Sequence, residues 1–379
     1  MPALARRATP AVPRQSARPL RRTRLALVLG VTSALLAVGP SAVAHQAAQE
    51  QRTAYHQTNL VSDLPGRAAI TDPNVVNPWG LVAGPTTPLW SNDNGTGLST
   101  LYSGGVNGST PAIVPVVVRV AGGLDTGIVF NGTSGFTVSA GGVTAPARFI
   151  FATLVGTISG WAPNVPLNGD SQLKATVQGA AFTGLANLTT DEGSFLFAAD
   201  FAGGRIDVFD SNWNQVPSSG GFRDRHLPSG YSPFNIQALG GKLYVAYAKV
   251  DPTTGRADRD AQGFVDVFDA HGKLLDRLIR RDHLHAPWGL VIAPDGFGQF
   301  SGDLLVGNFG DGRINAFDAR DGDFRGTVRD EHGRAIVNDR LWALRFGNGV
   351  FGDPYDLVFS AGIENETHGL LGIIEPAGG

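Results

Sequence analysis

The sequence predicts an all-β fold, a six-bladed β-propeller made of four-stranded antiparallel blades. Three observations support this prediction: one phrase occurs twice in nearly identical form, weaker copies bring the total to six, and each copy opens a similar series of short β-rich runs. The two strongest copies are "NPWGLVAGP" at 77–85 and "APWGLVIAP" at 286–294. Four-stranded units repeated around an axis form a propeller.

The six copies share a short apolar run; four are aligned on the third residue of that run, and the two copies that begin Thr-Gly are aligned on their glycine. Successive alignment residues are separated by 47, 57, 51, 54 and 54 positions. A period of about 50 residues is typical of repeated supersecondary units. The alignment residues are Gly80, Gly127, Gly184, Asn235, Gly289 and Ala343.

Each unit continues with short β-rich runs separated by turns rich in glycine and aspartate, most visibly "GLVIAP", "DLLVGNF", "RINAFDA" and "FRGTVRD" in the fifth unit. The third run recurs at 204–210, 263–269 and 312–318 and alternates apolar with polar residues. Alternation places one face of a strand in a core. These runs therefore predict four antiparallel strands for each unit.

The ends of the chain predict how the ring closes. The sixth unit has no run for an outermost strand, whereas "HQTNLVSD" at 56–63 lies before the first unit. We expect this N-terminal strand to complete the last blade, which removes an open sheet edge without disulfides, since the chain has no cysteine. The predicted domain is a single propeller over 56–379.

The repeated phrase itself has a structural interpretation. Proline fixes φ at the end of a loop, and glycine allows close approach where inner strands crowd the axis. We expect Trp79, Trp288 and Trp342 to wedge between neighbouring blades. Stacking of a ligand on these rings is the alternative.

The first 44 residues predict a cleaved signal peptide. They carry seven arginines and no acidic residue, then an apolar run from Leu25 to Gly39 and the small residues of 42–44. The apolar run is too short to favour a membrane anchor. We therefore expect a secreted, extracellular protein with no integral membrane segment after cleavage, and a flexible stretch at 45–55. Arg21 and Arg22 resemble a twin-arginine export signal.

Charge narrows the classes of partner. Removal of the leader leaves 23 basic against 33 acidic residues, which changes the formal net charge from −3 to −10. An acidic surface disfavours nucleic acid and anionic membranes as partners. We expect a monomer that binds an extracellular ligand or protein.

The fifth unit resembles an NHL-type propeller repeat, with its Pro/Gly opening, Asp-Gly turn, Arg-Ile pair and Phe-Asp turn. Across the chain, "QTNLVSD", "NPWGL", "TGIVFNGT", "FIFATLVGTISGW", "YAKVD", "GFVDVFD" and "APWGL" resemble a family of secreted bacterial proteins of unknown function with six-bladed propellers. This resemblance implies the fold and export. It implies no particular activity.

Ligand sites of propellers usually form around the channel mouth, on the face that carries the loop into the first strand and the loop between the second and third strands. Many oxygen donors are expected there, which suits Ca²⁺ better than a softer metal. The candidate ligand-binding residues are Asn92, Asp93, Asp200, Asn235, Asp251, His285, Asn308, Asp311, Glu364, Asn365 and His368, together with Asn74, Asn77, Asn94, Lys249, His283 and Glu366 on the same face.

Two segments depart from the repeat. The fourth unit carries "KVDPTTGRADRDAQG" at 249–263, either a rim that binds a cation or a mobile surface loop. The sixth carries "GIENETHG" at 362–369, in which Glu364, Asn365 and His368 are the candidate metal ligands and a polar turn is the simpler interpretation. His283 and His285 would share one face of a strand and could join His368 in a zinc site, or be ordinary hydrogen-bonded residues.

The main functional hypothesis is a binding module that uses the polar channel-mouth face. The alternative is a Ca²⁺-dependent enzyme resembling the lactonases and lyases built on other six-bladed propellers. Lactonase-type propellers use a glutamate near the first inner strand, and none occurs between Gln51 and Asp191. The motifs H-E-x-x-H, G-x-S-x-G and G-x-x-x-x-G-K-[ST] are also absent. A structural envelope protein is a third possibility.

Overall fold

The computed structural model describes residues 54–378, which form the predicted six-bladed propeller. The predicted signal peptide and the stretch from 45 to 53 lie outside the described residues. The first strands along the chain are β1 (Tyr55–Ser62) and the two-residue β2 (Ile70–Thr71), which pair in parallel. The described residues include no helix long and apolar enough to cross a membrane.

The first three blades follow the chain, each running from an inner to an outer strand. Blade 2 contains an additional hairpin between its first and second strands, which the repeat did not predict. Blade 1 consists of β3 (Pro78–Val82), β4 (Leu89–Asp93), β5 (Leu98–Ser103) and β6 (Ala112–Arg119); blade 2 of β7 (Asp125–Phe130), the hairpin β8 (Thr137–Ala140) and β9 (Val143–Pro146), then β10 (Phe149–Thr153), β11 (Thr157–Trp161) and β12 (Gln172–Thr176); blade 3 of β13 (Phe182–Thr190), β14 (Gly193–Asp200), β15 (Arg205–Asp210) and β16 (Gln215–Val216).

The remaining blades repeat this order. Blade 4 consists of β17 (Tyr231–Leu239), β18 (Lys242–Lys249), β19 (Gln262–Phe268) and β20 (Leu274–His285); blade 5 of β21 (Pro287–Ile292), β22 (Leu304–Asn308), β23 (Ile314–Phe317) and β24 (Phe324–Thr327); blade 6 of β25 (Leu341–Phe346), β26 (Leu357–Ala361), β27 (Leu370–Pro376) and β1. All six alignment residues of the repeat lie on inner strands, as predicted.

The N-terminal strand closes the ring, which confirms the prediction. Strand β1 pairs antiparallel with β27, from Tyr55 opposite Pro376 to Ser62 opposite Leu370. Each inner strand contacts the next, and the inner strand of blade 6 contacts that of blade 1. The first and last described segments thus belong to one sheet.

Glycine at the alignment position lets neighbouring inner strands approach closely. A Cβ at Gly80 would lie 2.4 Å from the carbonyl oxygen of Thr126, and one at Gly127 would lie 2.4 Å from the amide nitrogen of Leu185. Real side chains do not tolerate such distances, because van der Waals contact between heavy atoms needs more than 3 Å. The packing role expected for these glycines is therefore present in the structure.

The tryptophans of the repeated phrase fill the centre of the ring. Trp79 and Trp342 stack with ring centroids 3.6 Å apart, and Trp288 meets Trp342 edge-on at 5.7 Å. Blades 1 and 5 are not neighbours, yet Trp79 and Trp288 are 6.4 Å apart, and the Trp288 indole N–H donates across the ring to the carbonyl of Thr183 at 3.0 Å.

The rings therefore serve packing, as expected, but they meet at the axis instead of in the seams between blades. The reason is that each tryptophan is the second residue of its inner strand, immediately before the alignment residue, where the inner strands of the six blades converge. Trp79, Trp288 and Trp342, with Phe234 packed at 5.8 Å from Trp342, form what we call the aromatic plug.

Candidate functional site

A cavity of about 630 Å³ lies at one mouth of the channel, above the aromatic plug. Its walls come from all six blades, through the loops that lead into first strands and those that join second to third strands. Its apolar floor is made by Trp79, Phe201, Phe234, Phe309 and Trp342, and the remaining lining is Asn94, Leu124, Leu154, Ala181, Thr183, Thr254, Gly255, Arg256, Ala257, Arg259, Arg340 and Glu366.

Three arginines from blades 4 and 6 line one side of this cavity, and two carboxylates hold them in place. Glu366 Oε2 lies 2.5 Å from Arg256 Nη2 and 3.9 Å from Arg340 Nε. Asp339 Oδ1 accepts a hydrogen bond from Arg259 Nη2 at 2.9 Å and lies 3.6 Å from Arg340 Nη1. Three guanidiniums thus share two carboxylates.

Several guanidinium nitrogens in this group are buried without a hydrogen-bond partner among residues 54–378: Nε of Arg259, and Nε and Nη1 of Arg340. The guanidinium carbons of both residues lie over Phe309, 5.7 and 5.5 Å from its ring centroid. Phe309 in turn stacks on Trp342 at 4.3 Å. Cationic donors and the aromatic floor are therefore contiguous.

The loop between β18 and β19, which we call the strap (250–261), brings Arg256 to the cavity. Asp251 Oδ1 accepts hydrogen bonds from the amides of Thr253 and Thr254 at 2.7 and 3.2 Å, the Asx-type bonds that stabilise a tight turn. A bridge between Val250 and Ala257 closes the base of this turn. The insertion expected as either a cation-binding rim or a mobile loop contributes Thr254 to Ala257 and Arg259 to the rim of the cavity, and cation binding by it stays a prediction.

Glu366 reaches the cavity because its turn is left-handed. Glu364, Asn365 and Glu366 have φ values of 54, 61 and 68°, a conformation that costs roughly 1–3 kcal/mol per non-glycine residue. The amide of Glu366 donates to the carbonyl of Gly362 at 2.9 Å. Asn77 Nδ2 donates to Glu366 Oε1 at 3.4 Å. Backbone strain at a cavity wall is typical of functional sites.

The predicted metal ligands of this turn already have protein partners. Asn365 Oδ1 accepts from Arg340 Nη2 at 2.9 Å. His368 Nδ1 lies 2.6 Å from Asp63 Oδ2, and this hydrogen bond raises the pKa of His368. Glu364 is exposed, with Oε2 3.8 Å from His368 Nε2. The three side chains are adjacent, but outside the cavity lining.

Asn92 and Asn235 join neighbouring blades. Asn92 Nδ2 lies 3.2 Å from the carbonyl oxygen of Gly127 in blade 2. Asn235 Nδ2 donates to the carbonyl of Trp288 in blade 5 at 2.7 Å. Both side chains are buried and lie outside the cavity lining.

Asp200, Asn308 and Asp311 hold turns on the mouth face. Asp200 Oδ1 accepts from the amides of Ala181 and Gly203 at 3.0 and 2.8 Å. Asn308 Nδ2 donates to Asp311 Oδ1 at 3.1 Å. These contacts use Asp200 Oδ1 and Asp311 Oδ1, whereas Asp200 Oδ2 and Asn308 Oδ1 are buried without a hydrogen-bond partner among the described residues.

The two histidines before the fifth unit are placed differently from the strand expectation. Arg281 and His283 have φ values of 67 and 55°, so regular alternation is interrupted at the end of β20. The His283 ring stacks on Phe324 at 3.7 Å, and His285 is half-buried at the last position of the strand.

Of all residues expected on this face, only Asn94 and Glu366 line the cavity. Asp93 lies in a buried cluster between blades 1 and 2, and Asp251 forms the turn of the strap. Across residues 54–378, no three His, Cys, Asp or Glu side chains are grouped to hold one metal ion. Calcium binding by other oxygen donors stays a prediction.

Sequence reasoning missed the arginines and the phenylalanines. Phe201 and Phe309 each follow the polar residue that ends a second strand, so the repeat alignment itself carried a signal for them. Arg256 and Arg259 lie in the insertion that drew attention for its aspartates. Arg340 precedes an inner strand and carried no recognisable signal.

Fold and cavity together define a six-bladed propeller with a plugged channel and a ligand-sized cavity at one mouth. No family model matches the chain. It is 33% identical over 324 residues to an uncharacterised protein of Acanthamoeba polyphaga mimivirus, covering 83% of this chain and 78% of the relative. A second uncharacterised mimivirus protein is 33% identical over 326 residues, with 83% of each chain covered. The chain belongs to the family of these proteins.

Solved structures with similar architecture are more distant. A streptogramin B lyase structure is 9% identical, with a TM-score of 0.47 over 85% of this chain and 97% of that chain. A gluconolactonase from Xanthomonas campestris is 17% identical, with a TM-score of 0.39 over 60% of this chain and 82% of that chain. These values are too low to support an inference about activity. The relatives named above are viral, and the bacterial origin and export implied by the sequence stay predictions.

Proposed function

We propose that this protein is an exported ligand-binding propeller and that the channel-mouth cavity is its binding site. The observation that carries the proposal is the cavity itself, about 630 Å³ in volume and walled by all six blades. Ligand pockets commonly measure about 300–1,000 Å³ and combine an apolar lining with a few polar groups. The aromatic plug blocks the channel below, so the ligand enters and leaves by the same mouth.

A small molecule fits this site better than a protein surface. The floor is concave and its rings are almost fully buried, Trp79 and Trp342 being 4% and 1% exposed. Protein partners usually need a broad surface, about 800 Å² on each side. The mouth is instead narrowed by the strap and by the turn that carries Glu366. Calcium-dependent lactonase or lyase activity stays the alternative prediction.

Calorimetric titration with two flat probes, 2-naphthoate and 2-naphthamide, tests the proposal. We expect at least one probe to bind the natural chain and Thr254→Trp to abolish binding, because Thr254 is exposed on the strap and its larger replacement would occupy the cavity. Thr144→Trp is the matched control, an exposed threonine on the hairpin of blade 2. Binding of neither probe, or equal binding by Thr254→Trp, would refute the proposal.

A further inference from the structure

We propose that the ligand of this cavity is an organic carboxylate on a flat apolar body, with the carboxylate held by Arg259 and Arg340 and the ring on the aromatic floor. This inference rests on the proposed function and adds the chemical class of the ligand. It follows from the arrangement of the arginines, their missing hydrogen-bond partners and the charge of the lining.

The first step concerns the position of the two guanidiniums. Arg259 and Arg340 approach the same oxygen of Asp339, and both lie over the ring of Phe309. Asp339 is 46% exposed and fixes the two side chains from the solvent side. It acts as a positioning residue that keeps two planar donor groups next to each other at the edge of the floor.

The second step concerns hydrogen bonding. Arg340 is 12% exposed, and neither its Nε nor its Nη1 finds an acceptor in the described part of the chain; the same holds for Nε of Arg259. A buried donor without an acceptor destabilises the folded state, and more so if the donor is charged. A carboxylate has two oxygens in a plane and pairs with guanidinium donors through parallel hydrogen bonds. A ligand carboxylate placed beside these guanidiniums would therefore supply acceptors that they lack.

The third step concerns charge. Three arginines line the cavity against one carboxylate, that of Glu366, and Asp339 behind them contributes one more. The local balance is positive although the chain as a whole is acidic. A cationic ligand would meet three guanidiniums at close range, whereas an anion is attracted and is concentrated at the mouth.

The fourth step concerns the rest of the ligand. The floor beside the two arginines consists of stacked rings, Phe309 on Trp342 at 4.3 Å and Trp342 on Trp79 at 3.6 Å. These rings pack on one another and are almost fully buried, so they offer an apolar surface against which a flat apolar body can be buried. Because the open donors border this floor, one molecule can place its ring on the floor and its carboxylate at the arginines.

The test compares 2-naphthoate, its neutral analogue 2-naphthamide, and acetate, each titrated calorimetrically into the natural chain at low and moderate salt. We expect 2-naphthoate to bind at least about tenfold more tightly than 2-naphthamide, since each charged hydrogen bond contributes about 1.5–3 kcal/mol and 1.4 kcal/mol is a factor of ten. Acetate should bind weakly, because it has no ring, and only the anions should lose affinity with added salt.

The variants are Arg259→Gln and Arg340→Lys. Each should bring the affinity for 2-naphthoate towards that for 2-naphthamide while leaving 2-naphthamide binding within about twofold, which a general loss of structure would not do. The second keeps the positive charge and removes the planar donor group, so it separates fork geometry from charge. Arg119→Gln, at an exposed ion pair with Asp170 outside the cavity, is the matched control and should bind as the natural chain does.

The outcomes separate the two proposals. Equal affinity for 2-naphthoate and 2-naphthamide, or 2-naphthoate binding unchanged in both variants, would overturn the ligand class and leave the cavity as a binding site. Binding of neither ring probe would overturn both proposals. If acetate bound with the same affinity as 2-naphthoate, the proposed contact between the ligand ring and the aromatic floor would be overturned.

Discussion

Two groups of charged residues differ in what they bind: a buried carboxylate cluster outside the cavity lining, and the arginines that line the cavity. Asp93 of blade 1, Asp125 of blade 2 and Asp72, in the loop between β2 and blade 1, form a buried carboxylate cluster. On the side of blades 4 to 6, the arginines project from loops and retain donors without acceptors. In the cluster, hydroxyl groups bind Asp93 and Asp72, whereas both side-chain oxygens of Asp125 lack a hydrogen-bond partner among residues 54–378, as do three guanidinium nitrogens of Arg259 and Arg340. The comparison is therefore between unpartnered acceptors enclosed in the fold and unpartnered donors on residues that line the cavity.

The carboxylate cluster is closed by hydroxyl groups. Ser91 and Thr100 donate to Asp93 at 2.8 and 2.6 Å, and the Tyr102 hydroxyl lies 2.8 Å from Asp72 Oδ2. Burial raises the pKa of Asp93 well above its ordinary value, and repulsion from Asp125 and Asp72 acts in the same direction. Burial also raises the pKa of Asp125 to about 8.

The largest expected effect is the pH dependence that Asp125 imposes on stability. Its carboxyl is protonated in the folded state up to about pH 8 and ionises near pH 4 when unfolded. Its contribution to the free energy of unfolding is therefore greatest below about pH 4 and falls by roughly 2–5 kcal/mol as the pH rises to about 8. Urea unfolding at several pH values should show this fall in the natural chain and its loss in Asp125→Asn.

The matched control for this experiment is Asp170→Asn, at an exposed position outside the cluster. It should keep the pH profile of the natural chain. Parallel profiles for the natural chain and Asp125→Asn would show that the pKa of Asp125 is not raised in the folded state and would weaken the contrast between the carboxylate cluster and the arginines.

Asp93 gives the next largest effect. Asp93→Ala leaves the hydroxyls of Ser91 and Thr100 without their acceptor and opens a void, so it should lower the free energy of unfolding by about 2–4 kcal/mol. Asp93→Asn keeps the volume and a carbonyl acceptor and should cost less than about 1 kcal/mol, since burial disfavours the charged form of the Asp93 carboxyl. Equal losses in both variants, measured by urea unfolding, would contradict this explanation.

The fold could be predicted from the sequence because its determinants are local and repeated. Three features of the sequence each correspond to a physical need. The period of the alignment residues reflects the close approach of the inner strands, and the alternation in the third strands reflects one buried face. The missing outer strand of the sixth unit reflects the need for a paired sheet edge. The blade 2 hairpin and β2 were not predictable, because they occur once and pair through contacts that no repeat reveals.

The candidate site was less accessible to sequence reasoning. Polar residues at strand ends were conspicuous, but Asn92, Asp93 and Asn235 satisfy buried backbone and hydroxyl groups. The cavity depends on where loops from distant units converge, and on a left-handed turn at Glu364–Glu366 that residue types alone do not predict. Arg340 and Glu366 come together only because the turn and the inner strand of blade 6 meet at the mouth.

A smaller effect is expected at the ion pair between Arg256 and Glu366. Arg256 is 67% exposed, and exposed pairs contribute about 0.2–1 kcal/mol. A double-mutant cycle with Arg256→Ala and Glu366→Ala should give a coupling free energy in this range, which would show that the strap contributes little to stability. A coupling free energy above about 2 kcal/mol would show that the ion pair stabilises the fold. The contrast between the carboxylate cluster and the cavity arginines would then no longer hold for Arg256.

Calcium should have the smallest effect on stability. The turn carrying Glu364, Asn365 and His368 was the candidate for this ion, yet Asn365 and His368 are engaged by Arg340 and Asp63. At a free concentration equal to its Kd, an ion that binds only the folded state adds about 0.4 kcal/mol. That addition corresponds to a rise of about 1 °C in the melting midpoint, since 1 kcal/mol shifts the midpoint of a large domain by about 2–4 °C.

This shift is measured by comparing the midpoint of thermal unfolding in EDTA with that in added Ca²⁺. The comparison is made for the natural chain and for Glu364→Gln. A rise present in the natural chain and absent from Glu364→Gln would place an ion at the exposed carboxylate. Identical midpoints in both media would remove calcium from the account of this turn. The oxygen-rich side of the mouth would then serve structure alone, and the ligand-facing chemistry would belong to the arginines.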